Sequence, residues 1–156
     1  MKIKNIIFVS VISVAVVLFI FSTFAFSSSS GHISWVSYEQ GISLAEKGQK
    51  KLLISFYADW CTYCKEMDEK TYKDPAIVSY VNKNFIPIRV NSEKERKTAQ
   101  LFRVRGLPDT WFMSETKEVI GHRAGFIPAE TMIQFLKYIH SDSYKSMSLN
   151  SFIHNK

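Results

Sequence analysis

Cysteine is scarce in this chain: two residues in 156, Cys61 and Cys64, separated by Thr62 and Tyr63. Two sulfurs cannot build the multi-bridge framework of a small secreted scaffold. A zinc site needs two further ligands, and His32, His122, His140 and His154 show no paired spacing that would supply them. Lys65 rather than histidine follows Cys64, which excludes covalent haem attachment. No metal and no cofactor are expected. Clusters of like charge are missing too. Twenty Lys and Arg against 14 Asp and Glu leave a net charge of +6. The two signs are interspersed, so nucleic acid is not an expected partner. Internal repeats are absent.

What remains suits one domain once the N-terminus is set aside. Apolar content of 46% and aromatic content of 14% allow a core without staples. Lys2 and Lys4 precede an apolar stretch from Ile6 to Phe26, interrupted by Ser10, Ser13, Ser22 and Thr23. Its length matches the roughly 20 residues of a membrane span and exceeds the roughly 7–15 of a signal-peptide core. Ala25-Phe26-Ser27 nevertheless offers small residues for cleavage. Residues 1–26 are therefore read as a signal peptide or a signal anchor, and both stand. Lysines on the N-terminal side predict that the rest is exported, with membrane contact only through residues 6–26 if these stay uncleaved. No cysteine near the end of the run allows a lipoprotein anchor, and Ile153-His154-Asn155-Lys156 is no ER-retention signal.

Residues 27–34 read as a flexible spacer, residues 35–140 as the folded domain and residues 141–156 as a polar, Ser-rich tail that should fray. Within the domain, Trp35, Tyr38, Ile42 and Ala45 recur at helical spacing and predict a helix to Gly48. Leu52 to Ala58 is near-continuously apolar and suits a strand covered on both faces. Cys61 to Tyr72 predicts a helix, and Asp74-Pro75 caps a second one through Val81. A strand from Phe85 to Val90 follows. Ser92 and Glu95 then read as a capping box for a helix reaching Phe102. Thr110–Met113 and Lys117–Gly121 predict a hairpin, and Pro128 opens a last helix carrying Met132, Ile133, Phe135, Leu136 and Ile139. This order argues for an α/β fold, a central mixed sheet flanked by helices on both faces.

The cysteines fall where the apolar strand ends and a helix begins. There the unpaired N–H groups and dipole of the helix favour a thiolate on Cys61. Cys64, one turn in, shares its face and can close a disulfide. A bridge across so short a loop removes little chain entropy, so it is a weak staple and a better reagent. A static bridge in an oxidising compartment is the alternative.

The run Lys51-Leu52-Leu53-Ile54-Ser55-Phe56-Tyr57-Ala58-Asp59-Trp60-Cys61-Thr62-Tyr63-Cys64-Lys65 resembles the active-site strand and helix of the thioredoxin superfamily. The similarity continues through Lys70-Thr71-Tyr72-Lys73-Asp74-Pro75, Arg105-Gly106-Leu107-Pro108 and Gly125-Phe126. It is strongest to the C-terminal periplasmic domain of bacterial transmembrane thiol:disulfide interchange reductases. The resemblance implies a thioredoxin-like fold and a protein-disulfide reductase outside the cytoplasm, in the periplasm or on the outer face of the cytoplasmic membrane. Cys61, the more exposed sulfur, would attack, and Cys64 would resolve the mixed disulfide. Pro108 aligns with the family's cis proline, and Leu107 before it would offer its backbone to an incoming chain. Trp60 would shield the sulfurs and contact partners, with plain packing as the alternative.

Two positions depart from the family. Ser55 stands where many members carry a buried Asp that takes the proton of the second cysteine, and Asp109 stands where Thr is common. Asp68, one turn beyond Cys64, is the substitute base, or else a solvated acid. His122 reads as a surface residue. Thr62-Tyr63 brings no cation, and Asp59, Glu66 and Asp68 add negative charge that disfavours the thiolate. A potential nearer about −270 than about −120 mV is therefore expected. The implied partners are disulfide-bearing clients, mis-oxidised envelope proteins or apocytochromes, and a membrane thiol electron donor acting in trans. A disulfide oxidase or isomerase, or a non-catalytic binding module, is the competing reading.

Overall fold

The computed structural model describes residues 31–48 and 50–154. The segment at residues 1–26 and the start of the spacer lie outside the described residues. At the centre runs β1 (Lys51–Tyr57). Parallel to it lies β2 (Phe85–Asn91), in register from Lys51↔Phe85 to Tyr57↔Asn91. On its other side β3 (Asp109–Met113) runs antiparallel, from Leu52↔Met113 to Phe56↔Asp109. The outer strand β4 (Val119–Ala124) pairs antiparallel with β3, giving the order β2-β1-β3-β4.

Parallel neighbours need a crossover, and α2 (Thr62–Lys70) and α3 (Pro75–Asn84) provide it. With α5 (Ala129–His140) they cover one face, where Leu53, Met67, Ile77, Val81, Met132 and Leu136 are buried together. The other face is covered by α1 (Tyr38–Lys47) and the short α4 (Arg96–Leu101), over Leu52, Ile54, Phe56, Ile88 and Val90. Strand β1 thus feeds two cores, which is why its sequence lacks the alternation of a half-exposed strand. Each of its fully buried apolar side chains contributes about 1.5–3 kcal/mol. Helix α1 lies so close to β2 that a Cβ on Gly41 would overlap the Ile88 side chain. Asp74 caps α3 as expected, its Oδ1 accepting from the amides of Ala76 (2.8 Å) and Ile77 (3.1 Å).

Several local expectations are corrected. The first helix starts at Tyr38, not Trp35, because Ser37 and Gln40 form a reciprocal capping box. Val36 is held out of it by a bridge to Ile88, and Trp35 packs edge-on against Tyr72 at 4.9 Å. No capping box joins Ser92 to Glu95. Asn91 takes the role one residue earlier, its Oδ1 accepting from the amides of Glu93 and Lys94 while Glu95 Oε1 accepts from its N–H. The second hairpin strand begins at Val119, since Lys117 sits in the turn at φ 67°. Residues 32–34 are held in place rather than acting as a spacer: Ile33 is in the core, and Asn82 bonds the His32 carbonyl and the Ser34 amide. The tail does not fray at residue 141. It forms a 3₁₀ turn (Ser143–Lys145) and α6 (Leu149–His154), with Tyr138 donating to the Met147 carbonyl and packing on Phe152.

Candidate active site

Cys61 is the N-cap of α2, and its Sγ accepts a hydrogen bond from the Cys64 amide at 3.1 Å. The two sulfurs are joined in a disulfide, with Cα atoms 5.2 Å apart. An anionic sulfur at Cys61 would keep this N–H donor and face the positive end of the helix. The expected difference in exposure between the cysteines is absent, the two being 4% and 3% exposed. Around them the surface is apolar and open: Trp60 is 66% and Tyr63 62% exposed. Trp60 therefore stands in solvent and is no part of the core.

Leu107 packs against the group formed by Ala58, Cys61 and Cys64, which brings the loop from 106 to 108 to the sulfurs. The Leu107–Pro108 peptide is cis, as the family pattern implies. Pro108 passes its carbonyl to the Gly125 amide at 2.7 Å, in a turn where Gly125 holds φ 92°. Among the described residues the Leu107 backbone makes no hydrogen bond, so it is free to pair with an incoming strand.

Beneath the helix, Asp68 Oδ2 accepts from Arg89 Nη2 at 2.6 Å, while Asp68 Oδ1 is buried without a partner. Arg89 reaches across from β2 with its guanidinium over the rings of Tyr57 (4.3 Å) and Trp35 (5.5 Å). Asp68 follows Cys64 by one turn, on the same side of α2, a spacing that puts Cβ atoms roughly 5–6 Å apart. Ser55 is buried, and burial pushes the neighbouring Tyr72 phenol above its ordinary value, hydrogen bonds to Ser55 and Thr110 partly opposing this. Hydroxyls thus fill the place where an acid would otherwise lie.

The expectation that three acids surround the sulfurs with negative charge is corrected. Each acid has its own cation: Lys94 on Asp59 at 3.0 Å, Lys70 on Glu66 at 2.7 Å and Arg89 on Asp68. Their fields largely cancel, and the absence of a cation at Thr62-Tyr63 becomes the main argument for a reducing couple. Asp109, the other departure from the family, is buried. Its carboxylate accepts from Trp111 Nε1 and from His122 Nδ1, both at 2.9 Å, and the His122 ring stacks on Trp111 at 4.2 Å. Sequence reading missed this pair and Arg89. A lone arginine inside the apolar run Phe85-Ile86-Pro87-Ile88-Arg89-Val90 was the signal available for the latter.

A family model described as a thioredoxin-like domain matches residues 38–140. The chain belongs to the thioredoxin-like family. It is 31% identical over 111 residues to the thiol:disulfide interchange protein DsbD of Photorhabdus laumondii, covering 68% of this chain and 19% of that protein. With the protein of the same name from Vibrio vulnificus it shares 29% over 131 residues, 74% of this chain and 22% of the relative. The chain thus spans about a fifth of the length of these curated relatives. Among solved structures, a thioredoxin from Thermus thermophilus superposes with a TM-score of 0.64 at 20% identity, covering 69% of this chain and 87% of its own. A thioredoxin-fold protein from Helicobacter pylori gives 0.64 at 16%, over 83% and 94%. These two likenesses carry the fold.

Proposed function

We propose that this thiol:disulfide oxidoreductase works outside the cytoplasm as a reductase of disulfides in envelope proteins. The observation that carries the reading is Cys61 Sγ at the start of α2, accepting the Cys64 amide, beside a Leu107 backbone with no partner of its own. A client strand pairs with Leu107 next to Pro108 and Trp60 and brings its disulfide to Cys61. The Cys61 thiolate attacks one client sulfur, the client S–S bond breaks and a mixed disulfide forms, the leaving sulfur taking up a proton. Cys64 then loses its proton to Asp68 and attacks Cys61 Sγ. The second client thiol departs, and the Cys61–Cys64 disulfide holds the two-electron oxidation.

A thiol carrier embedded in the membrane, met in trans, returns two electrons to the pair. Mis-oxidised envelope proteins and apocytochromes awaiting haem are the expected clients, and residues 1–26 direct export as a cleaved signal or an anchor. Among the described residues no helix is long and apolar enough to cross a membrane. The test is a Cys64→Ala variant expressed in the native host. It should accumulate mixed disulfides through Cys61 with envelope proteins. A variant that traps nothing makes the chain a binding module, and a measured potential near about −120 mV makes it an oxidase.

A further inference from the structure

Beside the cis-proline loop, on the face of the sheet covered by α1 and α4, lies an open cleft of about 370 Å³. Its lining includes Arg103, Arg105, Gly106, Asp109, Trp111 and His122. Strand register fixes its relation to the sulfurs. Phe56, Asp109 and Ala124 are paired across β1, β3 and β4, so the cleft opens at the same end of the sheet as the cysteines. Neighbouring strands are roughly 4.8 Å apart. The cleft therefore lies on the order of 10 Å from the line of β1, about three residues of extended chain at roughly 3.3 Å each.

The charge in the cleft is unbalanced. Arg103 and Arg105 are exposed, and neither forms an ion pair among the described residues. The one acid in the lining is Asp109, which is 2% exposed and already holds the Trp111 and His122 donors. Among the described residues neither arginine bonds to it, its carboxylate being turned to Trp111 and His122. Arg103 stands at φ 52°, just past the Phe102 C-cap of α4, closing the turn through its amide to the Gln100 carbonyl at 2.9 Å. Glycine is the usual occupant of that left-handed position, yet the chain keeps an arginine there.

We propose that this cleft is a subsite for an acidic side chain of the client, two to four residues from the disulfide under attack, gripped by Arg103 and Arg105. The proposal rests on the client-reduction reading above. A client strand paired with Leu107 passes the sulfurs at one end and the cleft at the other, so one extended segment meets both. Arg105 and Gly106 directly precede Leu107, which ties recognition of the acid to presentation of the backbone.

The test uses protein pre-reduced at Cys61 and Cys64, so that its own two thiols supply the electrons in a single turnover. Its substrates are peptides bearing one mixed disulfide to a chromogenic thiol, with Glu, Gln or Lys placed in turn at each of four positions on either side of the cysteine. The expected result is a Glu-over-Gln rate preference of roughly three- to tenfold at low salt, confined to positions two to four on one side and shrinking as ionic strength rises. Lys at the same position should be slowest. Combining Arg103→Gly, which suits the left-handed backbone, with Arg105→Gln should bring the Glu/Gln ratio to about one. Lys83→Gln, which removes a charge from α3, should leave the ratio as it was. Equal rates for Glu and Gln at every position, or a preference surviving in the double variant, would overturn the subsite alone. Failure to reduce any peptide would remove the reductase reading and the subsite with it.

Discussion

Replacing Arg89 by leucine strips the charge from under the active-site helix while keeping an apolar stem against two rings. In the native fold the guanidinium is 19% exposed and holds Asp68, itself 34% exposed, at 2.6 Å. Breaking a fully buried pair costs about 3–5 kcal/mol, mainly because the surviving charge is left unpaired. Partial exposure of Asp68 allows water to reach it, so about half of that figure applies here, roughly 1.5–2.5 kcal/mol. Loss of the two ring contacts, to Tyr57 and Trp35, adds about 0.5–1 kcal/mol each, and the leucine returns part of this by packing. The net expectation for Arg89→Leu is a loss of about 2–3 kcal/mol in urea unfolding of the oxidised protein at neutral pH. With a slope of about 1–3 kcal/mol per molar, the midpoint should fall by roughly 0.7–3 M. Because the cost lies in the orphaned carboxylate, adding Asp68→Leu should restore most of it, a positive coupling in the double-mutant cycle. A loss under about 0.5 kcal/mol, or simple additivity of the two changes, would refute the claim that Arg89 compensates Asp68.

Gly41→Ala should destabilise by about 1–3 kcal/mol despite the better helix propensity of alanine, because the new methyl meets Ile88 in the core; calorimetry reads this directly. Lys51 is 3% exposed and bridges Glu115 at 2.7 Å and Asp142 at 3.3 Å, so Lys51→Met should cost roughly 1 kcal/mol at neutral pH. Burial pushes the Glu115 carboxyl up, but its bond to Lys51 and its other partners prevail and hold it low, while Lys145 and then Lys51 hold Asp142 low. Depressed carboxyls stabilise fully above the unfolded carboxylate range and lose that contribution as pH falls through their folded values. Unfolding midpoints followed from pH 7 to pH 3 should therefore drop more steeply in the wild type than in Lys51→Met. Trp60→Ala should leave stability within about 0.5 kcal/mol, as expected of a side chain in solvent, yet lower kcat/KM for protein disulfides more than for a small-molecule disulfide.

Much of the sheet was legible because burial on both faces writes itself into β1 as an unbroken apolar run, and the Cys-x-x-Cys falls directly behind it. The helix over residues 75–84 was equally open, since Asp74 and Pro75 fix its start by local chemistry alone. Reading failed where two local solutions lie one residue apart, as with Asn91 and Ser92, or where periodicity was accidental, as with Trp35, whose ring belongs to the opposite core. The tail was misread because its composition is polar. Its anchors lie outside it, Tyr138 on α5 for Met147 and Phe152, and the distant Lys51 for Asp142. The polar half of the site was hidden for the same reason. Asp109 finds His122 across a hairpin and Asp68 finds Arg89 across a parallel crossover, pairings that exist only once the register is set.

Strand β1 carries Lys51 at one end and leads into Cys61 at the other. The clamp from Lys51 to Glu115 and Asp142 therefore ties the β3–β4 turn and the end of α5 together at the pole farthest from the thiols. A fusion grafted into the turn after Met113 should strain that mooring through Glu115 while sparing the reactive pole.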